Sequence, residues 1–112
     1  MTTLEILRAA KALINEPGKW CRDVYARNAN GVETNPSSPH ACSFCIIGAL
    51  HTAVARMDAT HEDRNRIRHH AANALRRGLG TTLDQWQDQG DRQHREVMEL
   101  FDAAIAREEA KS

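Results

Sequence analysis

The chain opens with apolar residues at the three- and four-residue spacing of an amphipathic helix: Leu4, Leu7, Ala10, Leu13 and Ile14. Thr2 and Glu5 stand at the spacing of a capping box, in which each side chain bonds the other residue's backbone N–H. Proline followed by glycine cannot continue a helix, so Pro17-Gly18 ends it. The pattern predicts a first helix between Thr2 and Pro17.

The next segment changes to a two-residue period. Polar and apolar positions alternate over residues 19–27, and Asn30-Gly31 follows, a dipeptide that favours a tight hairpin turn. This pattern predicts a small β-hairpin near residues 19–34. Because an isolated hairpin is only marginally stable, it must pack against the helices.

The densest apolar run lies at residues 41–50, behind a loop rich in proline and serine. Ser38 could cap a helix with Pro39 in its first position, which predicts a central helix from about His40 to Met57. A helix that is apolar on every side should be buried. Gly48 destabilises such a helix by about 1 kcal/mol relative to alanine. We therefore expect another element to approach closely there, and we favour the predicted Trp20 strand.

Three further helical segments follow. The third helix begins at a Thr60 cap and ends at Gly78, and a short turn begins at Thr82 and breaks at Gly90. The last helix is predicted to be capped by Asp91, and its apolar side is formed by Val97, Met98, Phe101, Ala104 and Ile105. The fold class is thus mostly α, or α+β, with about four helices around the central one, in a single globular domain over residues 1–112.

Composition narrows the classes of partner and compartment. Fifteen basic residues balance fifteen acidic ones, so net charge gives no reason to expect a nucleic-acid partner. No apolar run reaches the roughly 18 residues of a membrane span, and residues 1–5 do not resemble a signal peptide. An odd count of three cysteines favours reduced thiols and a cytoplasmic location. The oligomeric state is left open, with a homodimer allowed.

The cysteines suggest a metal site or a nucleophile. Cys42 and Cys45 form a Cys-x-x-Cys pair, but structural zinc usually needs a second ligand pair, so no metal and no cofactor is expected. A cysteine-dependent enzyme is one alternative function: Cys45 would be the nucleophile and His94, one turn before Val97, its base, oriented by Asp88 or Asp91. In the competing structural interpretation both side chains simply pack, with His94 hydrogen-bonded in the core.

The third helix carries most of the arginines and supports a second alternative, a nucleic-acid-binding protein. Arg66, His69 and Arg77 share one face that could follow a phosphate backbone. Glu62 and Asp63 open the same helix, and the aromatic content of 4% leaves few rings for base stacking. A solvated polar face is the favoured interpretation.

Several short motifs resemble a family of small uncharacterised proteins from actinobacteria and their phages, a domain of unknown function. The likeness covers about residues 4–106 and rests on Trp20, Phe44–Leu50, Trp86-Gln87-Asp88, His94–Val97 and Phe101–Ala106. That family has an aromatic-Cys-x-x-Gly-Ala-Leu centre and a Trp-Asn-Asp element. Here Phe44 stands where tryptophan is usual, and Gln87 stands where asparagine is usual. The resemblance implies a recurring small domain found beside mobile elements, and it implies no reaction.

The leading functional prediction is a non-enzymatic accessory protein that binds a partner protein or a small ligand. An indole and a carboxylate beside a helix N-terminus can orient a small polar ligand. The candidate binding residues are Trp20, Cys45, Trp86, Asp88 and His94. In the structural alternative Trp86 fills the core and Asp88 caps backbone amides. A phage-encoded inhibitor or sequestering protein would fit this prediction.

Overall fold

A computed structural model describes residues 2–111. Over these residues it contains five α-helices: α1 (Thr3–Leu13), α2 (Ile46–Ala55), α3 (His61–Arg76), α4 (Leu83–Gln87) and α5 (His94–Ala110). A 3₁₀ turn covers Pro17–Lys19, and two short strands, β1 (Ala26–Arg27) and β2 (Ser43–Phe44), form a small sheet. The predicted mostly α class with a small β element is confirmed. Met1 and Ser112, the ends of the predicted domain, lie outside the described residues.

Threonine side chains begin three of the helices as the sequence predicts. The Thr2 Oγ1 atom accepts a hydrogen bond from the Glu5 N–H at 3.2 Å. Thr60 caps α3 in the same way through the Asp63 N–H, and Thr82 caps α4 through the Gln85 N–H. Each hydroxyl thereby satisfies one of the N–H groups that a helix leaves unpaired in its first turn.

The predicted cap of the last helix is wrong by two residues. Gln93, not Asp91, precedes α5. The Gln93 N–H donates to Oε1 of Glu96 at 2.9 Å, the back-bond of a capping box. The residue three positions after Asp91 is His94, which has no carboxylate or side-chain amide to complete such a box.

One strand of the sheet, β1, lies within the predicted hairpin, but its partner strand β2 lies outside it. β1 pairs antiparallel with β2, placing Ala26 opposite Phe44 and Arg27 opposite Ser43. The turn at Asn30-Gly31 is present, with the Asn28 N–H donating to the Val32 carbonyl at 2.9 Å. Its two sides share a single bridge, between Arg27 and Glu33.

Residues 19–25 do not form the predicted continuous strand. Trp20 makes one isolated parallel bridge to Phe44. Asp23 then adopts a positive φ of 72°, a left-handed conformation that strands do not contain. The alternating pattern therefore reflects a bent segment that touches the sheet at both ends.

The central helix begins at Ile46 and not at His40, and Ser38 and Pro39 belong to the preceding loop. Before the helix, the Cys42 N–H donates to the Arg27 carbonyl at 2.8 Å and the Cys45 N–H donates to the Tyr25 carbonyl at 3.1 Å. These long-range bonds hold residues 42–45 extended. A short apolar run fits a buried strand and a buried helix equally well, so periodicity alone could not separate the two.

Buried residues of all five helices form the core. α1 packs against α2, α3 and α5, whereas α2 packs against α1, α3 and α4. The central position is thus shared, and α2 is not buried on every side because His51 and Ala55 are exposed. The largest fully buried apolar side chains are Ile6, Leu7, Ile14, Ile46, Leu50, Leu75, Val97 and Phe101. Within residues 2–111, no helix has the length and apolar content needed to cross a bilayer.

A substitution at Phe101 tests which side of α5 faces the core. The Phe101 side chain has 0% exposure, at the centre of the predicted apolar side of the helix. We expect Phe101→Ala to lower the free energy of unfolding by about 3–5 kcal/mol, because the ring loses its contacts and leaves a cavity. Urea denaturation monitored by circular dichroism measures this change. A loss below about 1 kcal/mol would mean that the ring contributes little to the core.

Candidate functional site

A cleft of about 250 Å³ lies beside the start of α2. Residues 23–25 of the bent segment form one wall, and α4 forms another. Glu33 lines the cleft from the loop after β1. Four of its lining residues carry exposed carboxylates: Asp23, Glu33, Asp84 and Asp88. The lining also includes the buried residues Cys45 and Gln87, the half-buried Val24 and the exposed ring of Tyr25.

Cys45 occupies the N-cap of α2. Its backbone is extended, and its Sγ atom accepts a hydrogen bond from the Gly48 N–H at 3.3 Å. Burial raises the pKa of the Cys45 thiol; hydrogen bonds from Gly48 and Gln87 oppose this effect, and the nearby Asp88 charge reinforces it. The thiol is therefore protonated at neutral pH. It acts as a buried cap, in the place that serine or threonine usually takes.

Gln87 links α4 to the start of α2. Its side chain is 1% exposed, and its Oε1 atom accepts a hydrogen bond from the Ile46 N–H at 2.9 Å. In the sequence alone, Gln87 stands out only as a departure from the family pattern. Its place four residues after Leu83, on the buried side of a short helix, is the signal that could have revealed this role.

Another element approaches Gly48 closely, as its position in a buried helix predicts. A Cβ atom at Gly48 would overlap the carbonyl group of Tyr25, whose oxygen also accepts the Cys45 N–H. The neighbouring element is thus the segment that follows Trp20, and the contact is with Tyr25. Only glycine leaves room for this backbone contact.

Asp88 fastens the other side of the cleft. Its Oδ1 atom accepts a hydrogen bond from the Asp23 N–H at 3.1 Å, and Arg22 donates to the Gln89 carbonyl at 2.7 Å. These two bonds tie the bent segment to the loop between α4 and α5. Asp88 therefore caps a backbone amide, as the structural alternative expects, while it also lines the cleft.

The other three binding candidates lie outside the lining of this cleft. The rings of Trp20 and His94 are in contact, with centroids 6.3 Å apart, and His94 Nε2 hydrogen-bonds the Ile14 carbonyl at 2.7 Å. The Trp86 ring lies 3.9 Å from the guanidinium of Arg92. Of the five candidates, the structure brings Cys45 and Asp88 to one cleft and joins Trp20 with His94 elsewhere.

The two residues of the enzymatic alternative have separate partners. The Cys45 sulfur accepts a hydrogen bond from the Gly48 N–H, whereas the His94 ring hydrogen-bonds the Ile14 carbonyl after α1. Among residues 2–111 no hydrogen bond joins this thiol to this imidazole. In the same part of the chain, no three His, Cys, Asp or Glu side chains are grouped to hold a metal ion.

The proposed nucleic-acid residues lie along α3 and just after it. Arg66 forms an ion pair with Asp63 at 2.7 Å, on a surface where both side chains are exposed. His69 is exposed, and Arg77 follows the last residue of α3. The nucleic-acid alternative stays a prediction.

The fold and cleft define a small helical domain in which a two-stranded sheet holds the N-terminus of a central helix. The chain belongs to DUF6197, a family of unknown function, whose model matches residues 1–107. This agrees with the resemblance to an uncharacterised domain family. No curated protein and no solved structure matches the chain.

The contact between Gly48 and Tyr25 yields a stability prediction. Alanine is intrinsically better than glycine in a helix by about 1 kcal/mol. We nevertheless expect Gly48→Ala to lower the free energy of unfolding by about 1–3 kcal/mol, because the new methyl group must displace the Tyr25 backbone. Urea denaturation gives the value.

Gly18→Ala is the matched control for that variant. No atom lies within 4 Å of a Cβ placed at Gly18, in the 3₁₀ turn. We expect its effect to stay within about 0.5 kcal/mol. Equal effects at both positions would contradict the close approach.

Thiol reactivity separates the packed from the catalytic interpretation of Cys45. Burial raises the pKa of both the Cys45 and the Cys21 thiols, so the reactive thiolate becomes abundant only above the pH at which an ordinary thiol ionises. With iodoacetamide at pH 7, we expect the exposed Cys42 to be alkylated first and Cys45 at least about tenfold more slowly. Peptide mass spectrometry over a time course measures the three rates. Alkylation of native Cys45 as fast as that of Cys42 would favour the enzymatic alternative.

Proposed function

We propose that this protein is a non-enzymatic binding protein and that its cleft accepts a positively charged group, a guanidinium or ammonium, of a partner protein or small ligand. The observation that carries the proposal is the charge of the lining. Four carboxylates line the cleft, and no lysine or arginine is among its lining residues.

The four carboxylates have no cationic partner within the described chain. Among residues 2–111, the ion pairs use other acidic residues: Glu16, Asp63, Glu96, Asp102, Glu108 and Glu109. In a chain whose formal charges cancel, this group is a local excess of negative charge. A concave surface lined by one sign of charge attracts ligands of the opposite sign.

The apolar surface around the cleft also suits a cation on a carbon stem. Tyr25 and Val32 are the exposed large hydrophobic residues of the described chain, at 56% and 58% exposure. Tyr25 lines the cleft, and Val32 directly precedes the lining residue Glu33. An aromatic face attracts guanidinium and ammonium groups, and it also covers the stem of an arginine or lysine side chain.

The biological setting of this binding is part of the proposal. The odd count of three cysteines favours reduced thiols, so the proposal includes a cytoplasmic location. The resemblance to proteins of mobile elements supports a phage-encoded inhibitor or sequestering protein as the role. A basic surface on a host protein is the class of partner that the cleft suits.

A pair of small probes tests the charge requirement. N-acetyl-arginine amide carries the guanidinium, and N-acetyl-citrulline amide is its uncharged isostere. In ¹H–¹⁵N NMR titrations we expect the arginine probe alone to shift the amides of residues 23–33 and 84–88, and added salt to weaken its binding. Equal binding of the two probes, or shifts confined to other residues, would overturn the proposal.

Variants that keep size but remove charge complete this test. The double variant Glu33→Gln and Asp88→Asn should bind the arginine probe about fivefold more weakly, since two exposed charge pairs together contribute roughly 1 kcal/mol. The asparagine can still accept the Asp23 N–H, so the loop should stay in place. Asp58→Asn removes an exposed carboxylate between α2 and α3 and should leave the affinity unchanged.

A further inference from the structure

Cys45 has two possible disulfide partners, Cys21 and Cys42, and the backbone geometry favours Cys21. Cys21 and Cys45 are buried, Cys42 is exposed, and all three are free thiols. Residues 42–45 run extended through β2 into the N-cap of α2. Three extended residues span roughly 10 Å. Disulfide-bonded cysteines need Cα atoms within about 7 Å, so Cys42 cannot reach Cys45 while β2 is formed.

Cys21 lies beside Cys45 through backbone pairing. Trp20 makes a parallel bridge to Phe44, and the Cys21 N–H donates to the Phe44 carbonyl at 3.1 Å. Cys21 and Cys45 directly follow the two bridged residues. Paired segments lie about 4.8 Å apart, which is within the roughly 4.4–6.8 Å Cα separation of disulfides. In agreement, the charge of a Cys45 thiolate contributes, after burial, to raising the pKa of Cys21.

We propose that Cys21 and Cys45 are a redox-sensitive pair, which a small disulfide oxidises to an intramolecular disulfide. Cys21 is the more exposed of the two, at 8% against 2%, so it reacts first. Its thiolate attacks one sulfur of the small disulfide, and the other half leaves as a thiol. The Cys45 thiolate then attacks the Cys21 sulfur of the mixed disulfide and releases the second thiol. The two cysteines lose two protons and two electrons, and the reagent gains them.

The link would change the start of α2. The reduced Cys45 sulfur accepts the Gly48 N–H, and the reduced Cys21 sulfur contacts the Val24 carbonyl at 3.8 Å. A disulfide has a fixed dihedral, so both sulfurs must turn from these partners toward each other. Because Cys45 and Val24 line the cleft, oxidation would alter its wall. The pairing itself does not depend on what the cleft binds.

Disulfide mapping tests the proposal in the native chain. Protein carrying Cys42→Ser is incubated with cystamine at mildly alkaline pH, digested and analysed by mass spectrometry. We expect a Cys21–Cys45 peptide, a loss of two hydrogen atoms from the intact chain, and reversal by dithiothreitol. Cysteamine adducts on single cysteines without this link, or an unreacted chain, would overturn the proposal.

The wild-type chain supplies a matched comparison of folded and unfolded states. In the native state we expect the Cys21–Cys45 link, with cystamine also free to modify Cys42. In urea the shorter loop closes more readily, so Cys42–Cys45 should dominate. A native chain that forms mainly Cys42–Cys45 would show that β2 does not hold these residues apart, and would refute the pair. Cys21→Ser should yield no intramolecular link in the native state.

Discussion

The site depends on the contacts that the Tyr25 carbonyl makes with the start of α2. This carbonyl accepts the N–H of Cys45 and lies against the Cα of Gly48, so one backbone group fixes both the start of α2 and the distance to its first turn. The small sheet extends this pairing through Ala26 and Phe44. The position of the bent segment against α2 therefore decides where α2 begins, and with it the place of the Cys45 thiol.

Polar groups in this region have two roles. The almost wholly buried Gln87 side chain accepts a hydrogen bond from the Ile46 N–H. The exposed Asp88 carboxylate accepts one from the Asp23 N–H. The first bond satisfies a helix N-terminus that the core would otherwise leave unpaired, and the second holds the cleft wall. The remaining carboxylates bind no cation of the described chain. This imbalance in a formally neutral protein supports its proposed attraction for a positively charged partner.

Backbone pairing changes how the Cys42-x-x-Cys45 motif is interpreted. Cys42-x-x-Cys45 suggests a metal ligand pair or a redox pair when it opens a helix. Here its first residue lies before a strand and its last caps a helix, so the two thiols are separated by an extended backbone. A parallel bridge between Trp20 and Phe44 instead places the distant Cys21 near Cys45. The proposed redox pair therefore follows from the topology and not from the Cys-x-x-Cys spacing.

Local signals in the sequence determined most of the helical framework. Threonine caps at Thr2, Thr60 and Thr82, the break at Pro17 and the apolar side of α5 act within a few residues, so composition and periodicity suffice to find them. The close approach at Gly48 was also predictable, because glycine inside a buried helix needs a packing reason. Only the tertiary structure decided that residues 43–44 form a strand, that Gln87 bonds the first N–H of α2 and that Cys21 pairs with Phe44. Those outcomes depend on hydrogen bonds between residues tens of positions apart, and such bonds leave no periodic trace in a single sequence.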